Sequence, residues 1–271
     1  MAWIRTQRYA LQVPCWQQAG RVRLALLSDL HNNIYPGLLN TLQEEKPDLV
    51  IIAGDMINRP TSITPPRFTR GYGCVSRIAQ AFPVLYALGN HESTWRGSEA
   101  YREGFRQYQR ALEKKGVRFL INDSLEWGEG EHPLRFSGVE LDHLQYTHHL
   151  KKRRPPEQEA LAEKLGAPGA YQILLAHHPF YIREYAAWGA DLVLAGHLHG
   201  GQMRLPFLGG VIASGFQLFP PYTKGLYQER DTQMIVSAGL GTHTIPVRPF
   251  NPRELVIIDL VSPQGPGAAP C

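Results

Sequence analysis

The sequence predicts an α/β fold built around buried strands, and three observations carry that expectation. Seven short apolar runs recur along the chain, helical patterns lie between them, and five of the runs end in Asp, Asn or His, mostly beside glycine. Of 271 residues, 43% are hydrophobic and 10% aromatic, enough to bury a large core and to exclude wholesale disorder.

The apolar runs are Val22–Ser28, Asp48–Ala53, Pro83–Leu88, Gln172–Ala176, Asp191–Ala195, Gln233–Ser237 and Glu254–Leu260. Their near-continuous Leu, Val and Ile content marks strands covered on both faces. Between them, Pro36–Glu45 sets Leu38, Leu39 and Leu42 at helical spacing, and Ser98–Lys115 does the same with Tyr101, Phe105, Tyr108 and Leu112. A third helix is expected over Glu157–Leu165, after the breaker Pro155-Pro156. Strands alternating with helices give a layered α/β architecture. Asn58–Gly73, rich in Pro, Thr and Arg, reads as a loop. Leu141–Gly169 reads as an insertion carrying His143, His148, His149 and the basic run Lys151–Arg154, whose plain reading is a solvated face. Ser262–Cys271 reads as a disordered Pro/Gly-rich tail, which leaves one domain over residues 1–261.

Composition narrows the function classes. A net charge of +4 is too small to argue a nucleic-acid binder. Three cysteines, Cys15, Cys74 and Cys271, are too few for a disulfide framework and fit a reducing compartment. No run reaches the roughly 18 apolar residues of a membrane span, and Met1–Gly20 has no apolar core of a signal peptide. The expectation is a cytoplasmic protein. Peripheral membrane contact is expected at most through Lys151–Arg154 and the aromatic Phe216–Tyr222 loop.

The chemistry concentrates at the strand ends. Val22–Ser28 is followed by Asp29-Leu30-His31, Asp48–Ala53 by Gly54-Asp55, and Pro83–Leu88 by Gly89-Asn90-His91-Glu92. Gln172–Ala176 is followed by His177-His178, and Asp191–Ala195 by Gly196-His197-Leu198-His199. Ligands of open α/β sheets bind outside the carboxyl ends of strands, so these five ends should meet in one cleft. Any one of them alone would be an ordinary turn.

This order of blocks resembles the calcineurin-like metallophosphoesterases, over roughly Arg21 to Leu260. The resemblance implies two packed mixed β-sheets flanked by helices, a four-layer sandwich, with a metal site at the strand ends. Carried over, a first metal would take Asp29, His31, Asp55 and His199, and a second Asp55, Asn90, His177 and His197. Asp55 would bridge two cations about 3.5–4 Å apart. Oxygen and imidazole donors without thiolate suit two divalent ions, Mn²⁺ first, with Fe or Zn²⁺ as alternatives. The resemblance further implies a bridging water activated to hydroxide, direct attack on phosphorus, and His91 as general acid for the leaving oxygen. His178 reads as a supporting residue.

Four later stretches, GHLHGGQMRLPF from Gly196, PYTKGLY from Pro221, SAGLG from Ser237 and PVRPFNPREL from Pro246, look like a bacterial subgroup of phosphodiesterases and UDP-diacylglucosamine pyrophosphatases. Arg248 in the last stretch reads equally as a phosphate partner or as a structural salt bridge. The expected substrate is a small or lipid-linked phosphoester. The alternatives are a phosphomonoesterase or phosphoprotein phosphatase, and a non-catalytic scaffold that binds a protein partner. The intact set of ligand positions favours an enzyme, and oligomeric state is not readable.

Overall fold

A computed structural model describes residues 4–14, 20–61, 67, 69–128, 133–146, 154–169, 171–205, 207–212, 217–242 and 247–262. Cys15, Cys271, His148, His149, Lys151–Arg153, Phe216 and the tail 263–271 lie outside the described residues.

The chain begins β1 (Ile4–Gln12), β2 (Arg21–Leu27), α1 (Leu38–Glu45), β3 (Leu49–Ala53), α2 (Arg70–Ala79) and β4 (Val84–Ala87). It continues through α3 (Asn90–Gly97), α4 (Arg102–Glu113), β5 (Val117–Leu120), β6 (Asp123–Trp127), β7 (Leu134–Gly138) and α5 (Gln158–Leu165). Then follow β8 (Tyr171–Leu175), α6 (Ile182–Trp188), β9 (Leu192–Ala195) and the hairpin β10 (Met203–Leu205) with β11 (Gly209–Ile212). β12 (Gly225–Glu229), β13 (Thr232–Val236) and β14 (Arg253–Val261) close the fold.

Two six-stranded sheets form, in the orders β1-β14-β2-β3-β4-β5 and β12-β13-β9-β8-β7-β6. Strands β2 to β5 run parallel, as do β7, β8, β9 and β13. The two-residue period of a strand splits each apolar run between two cores. Leu49, Ile51 and Ala53 of β3 pack with Ile173, Leu175, Leu192 and Leu194 between the sheets. Val50 and Ile52 face the other way, against α1, α2 and α4. Leu174, Ala176 and Val193 face α5 and α6. The result is the expected four-layer sandwich, and it explains why both faces of these strands are apolar.

All seven apolar runs form strands, and α1, α4 and α5 lie within the three expected helices. The expected helix from Ser98 starts only at Arg102, because α3 ends at Gly97 and Ser98–Tyr101 separates the two. Part of the expected Asn58–Gly73 loop is helix: Thr69 caps α2 by accepting from Tyr72 N, and Val75 and Ile78 enter the core. Helices α3 and α6 and strands β1, β6 and β12 carry no long apolar run. The three strands are sheet edges with partly exposed residues, so hydrophobic continuity does not mark them.

Asp259 ties β14 to β2 through Arg23 and, at 3.6 Å, through Arg21. Arg23 and Asp259 are direct cross-strand neighbours, with Nε to Oδ1 at 2.7 Å and Nη2 to Oδ2 at 2.8 Å. These hydrogen bonds hold the Asp259 carboxyl below its ordinary pKa. Its contribution is therefore present above the unfolded carboxylate pKa of about 4 and is lost as pH falls through the lower folded value. D259N is expected to cost about 1 kcal/mol at neutral pH, after screening by solvent. Urea unfolding of both proteins checks this, and the difference should vanish in acid.

Candidate metal centre

Parallel pairing brings the strand ends to a common edge. Asp29 and His31 follow β2, Asp55 follows β3, and Asn90 and His91 open α3 after β4. From the second sheet, His177 follows β8, while His197 and His199 follow β9. All eight residues are buried.

Their backbones are unusual. Asp29, His31, Asp55, His197 and His199 all lie in the left-handed region, with φ of 52°, 49°, 57°, 74° and 50°. Non-glycine residues seldom adopt it, and such strain persists only where surrounding bonds over-determine it. Those bonds are present. Asp29 N donates to Gly54 O at 3.0 Å, His31 N to Asp55 O at 3.0 Å, and His197 N to Asp29 Oδ2 at 3.0 Å.

The firmest staple is Glu92, buried one helical turn into α3. Its carboxylate accepts from the backbone N–H of Asp55 (2.9 Å), Met56 (2.9 Å), Ile57 (3.3 Å) and Gly89 (3.1 Å), and from Tyr86 Oη (2.7 Å). Burial, then the Asp55 charge, push its pKa up to about 7. Gly89 is required here because a Cβ on it would lie 2.1 Å from Asp55 Oδ1.

Within the cluster, Asp29, His31 and His199 bring ligand-type atoms together around one point, and Asp55, His177 and His197 around another. His31 Nε2 lies 3.1 Å from His199 Nε2, and His177 Nε2 lies 3.3 Å from His197 Nδ1 and 3.2 Å from Asp55 Oδ2. His177 Nδ1 sits 2.6 Å from Ala53 O, which fixes a proton there and aims Nε2 at the carboxylates. Burial opposes charge on the ring, yet Asp55 and Asp29 outweigh it and push His177 up to about 10. Burial and the adjacent His178 and His177 hold the His197 pKa well below the ordinary imidazole value. Asp29 is held below the usual carboxylate range by His199, His31 and His177 in spite of its burial.

The side-chain amide of Asn90 completes this picture. One end lies 3.1 Å from Asp55 Oδ2 and 3.0 Å from His197 Nδ1, and the other 3.1 Å from Arg59 Nη2. Turned with its oxygen inward, the amide joins two more acceptor-type atoms around one point, an arrangement a cation would satisfy. Turned the other way, it satisfies both sides without one. Lone pairs converging from carboxylate, amide and imidazole therefore fit divalent metal ions in a dinuclear site.

His91 stands in the same cluster, buried and grouped with His31 and Asp55. Its N–H donates to Asp55 Oδ1 (2.9 Å), its Nε2 is 3.9 Å from Asp55 Oδ2, and its ring meets His31 edge-on at 4.6 Å between centroids. Beyond Asn90 a cleft of about 490 Å³ opens, lined by Arg59, Thr94, Arg96, Glu140, His143 and Tyr146 among others. The Tyr146 ring packs on His197 at 5.3 Å.

Sequence reading missed several roles. Glu92 stands in the quoted motif, three residues after Gly89, a spacing that signals a helix-start box; its grip on the Asp55 loop does not show there. Arg59 and Tyr146 have no local signal. Arg248, read from the sequence as a phosphate partner or a salt-bridge partner, makes no ion pair among the described residues and turns to backbone carbonyls instead. Its guanidinium donates to Gly239 O (3.0 Å), Gly241 O (2.7 Å) and Ala238 O, and burial lowers its pKa to about 10. It stiffens the loop beneath His199, whose carbonyl it also reaches. Arg253 donates to Tyr35 Oη at 2.9 Å and stacks over that ring. The His178 ring packs on His197 at 4.5 Å, and its Nδ1 accepts from Phe180 N.

A four-layer sandwich with a His/Asp cluster at its strand ends is the arrangement the sequence resemblance implied. The chain belongs to the calcineurin-like phosphoesterase family, whose model matches residues 22–201. It is 27% identical over 255 residues to the uncharacterized metallophosphoesterase YkuE of Bacillus subtilis, covering 89% of this chain and 79% of that protein. It is 29% identical to the uncharacterized metallophosphoesterase Cj0846 of Campylobacter jejuni, covering 88% of this chain but 59% of that protein. Among solved structures, TT1561 of Thermus thermophilus superposes with a TM-score of 0.49 at 13% identity, covering 81% of this chain and 90% of that one.

Proposed function

We propose that the chain hydrolyses phosphodiesters or pyrophosphate-linked substrates, with Asp29, His31, Asp55 and His199 holding one divalent ion and Asp55, Asn90, His177 and His197 the other. Mn²⁺ suits these oxygen and imidazole donors, with Fe or Zn²⁺ as alternatives. Bound there, such ions supply Lewis acidity toward phosphoryl oxygens and acidify water. The chain's residues do the rest. Asp55 turns its Oδ2 toward both sides, and Glu92 holds its loop rigid. His91 carries the proton for the departing alkoxide.

The observation that carries the substrate reading is the cleft of about 490 Å³ beyond Asn90. A monoester's phosphoryl group needs only the floor between the ligands, whereas a second ester or phosphate arm needs room beside it. Arg59 stands at the junction, 3.1 Å from the Asn90 amide, where it can meet a phosphate oxygen. Kinetics on a matched diester and monoester pair, with Mn²⁺ added to metal-stripped protein, test this. A higher kcat/KM for the diester is expected. Preference for the monoester would overturn it.

No described helix is long and apolar enough to cross a membrane. A cytoplasmic place of work rests on the few cysteines, and a small or lipid-linked substrate on the resemblance of the Gly196–Leu255 stretch.

A further inference from the structure

Arg248 sits behind the candidate metal centre and directs all five of its guanidinium N–H donors at backbone carbonyls. Nε donates to Asn251 O (3.2 Å), Nη1 to Gly239 O (3.0 Å) and Gly241 O (2.7 Å), and Nη2 to Ala238 O and His199 O (3.4 Å). Asn251, itself buried, donates from Nδ2 to His199 O at 2.6 Å and to Gln202 O at 3.0 Å. The two side chains thus clamp segments 199–202 and 238–241 onto their own turn. The fit is close: a Cβ on Gly200 would lie 2.4 Å from Asn251 Oδ1.

Both clamped segments lead to ligands of the same candidate ion. His199 lies in the first, and its Nδ1 is 3.4 Å from Gly241 O, which leaves Nε2 facing the cluster beside His31. The second segment packs on Asp29. Gly241 N donates to Asp29 O at 2.6 Å, Leu240 N donates to Ser28 O at 3.1 Å, and a Cβ on Gly239 would lie 2.7 Å from Asp29 Cβ. Asp29 and His199 both hold left-handed φ, of 52° and 50°, which lasts only while surrounding bonds over-determine it. The other half of the cluster is braced from elsewhere. Glu92 accepts from Gly89 N, next to Asn90, and from Asp55 N, while Ala53 O fixes His177 Nδ1.

We infer that Arg248 and Asn251 are positioning residues for one ion of the pair, the ion assigned to Asp29, His31, Asp55 and His199. On the two-metal reading proposed above, removing the clamp takes from Asp29 and His199 the bonds that aim them. Asn90 and His177 keep theirs, so the centre then holds one ion firmly and the other weakly. Partners that orient metal ligands in this way contribute roughly 10–100-fold in affinity.

Mn²⁺ titration of the metal-stripped chain, read by calorimetry and electron paramagnetic resonance, tests this. The unaltered chain should take two ions and give the spin-coupled signal of a metal pair. R248M should weaken one ion roughly 10–100-fold, leave the other unchanged and lose the coupled signal at two equivalents of Mn²⁺. Added to H199A, R248M should change nothing further; added to H177A, it should leave no firmly held ion. N251A should repeat the selective loss, and it carries the test if R248M does not fold. A merely structural role would weaken both ions together, and that result would overturn the inference. So would unchanged affinity for both ions in the variants, or a further loss when R248M is added to H199A. A single ion at saturation in the unaltered chain would sink the two-metal reading, and this inference with it.

Discussion

Asp55→Asn is expected to lower turnover by roughly 10³-fold or more and to cut the metal bound at saturation below two ions per chain. The reason is specific to this side chain. Its Oδ2 lies 3.2 Å from His177 Nε2 and 3.9 Å from His31 Nε2, so one carboxylate faces both halves of the cluster. An amide keeps the shape and one acceptor oxygen but loses the charge that offsets two adjacent cations. The backbone should tolerate the change, because asparagine is among the residues that accept the φ of 57° found there. The loop also stays anchored, since its N–H groups donate to Glu92 rather than to Asp55 itself. Elemental analysis and thermal unfolding of the variant separate metal loss from misfolding. Full activity in the unaltered protein with at most one ion per chain would sink the two-metal assignment.

His91→Ala should behave differently. The metal content is expected to hold, while turnover of a diester with an alkyl leaving group falls by roughly 10²–10⁴-fold. An activated aryl leaving group departs without a proton, so the same variant should lose far less on it. This contrast is the signature of a proton donor. His91 is also within reach of a rival role, because its ligand-type atoms group with those of His31 and Asp55. Loss of a metal ion in the variant would make it a ligand and end the acid assignment. Its backbone N–H would still donate to Asp55 Oδ1, so Asp55 should stay in place in the alanine variant.

The sequence by itself determined the layered α/β class, the seven central strands and the residues that follow them. Central strands covered on both faces must be apolar along their length, as Leu49–Ala53 is, so burial writes them into composition. Chemistry at strand ends was readable for the same reason: Asp29, Asp55, Asn90, His177 and His197 each stand within three residues of such a run. Edge strands such as Asp123–Trp127 escaped because solvent takes one side of them.

Only the tertiary structure decided what depends on contacts between distant segments. Glu92 reaches across 37 positions to Asp55, and Arg248 spans 49 to the His199 carbonyl; no periodicity encodes either distance. The left-handed backbones at Asp29, His31, Asp55, His197 and His199 belong to residues that adopt that region less readily than glycine, and hydrogen bonds from other loops hold them there. The exposure of Phe207 and Phe250 likewise needed the fold. Both are hydrophobic letters that a sequence reader assigns to the interior, and only packing reveals which apolar side chains the core has no room to take.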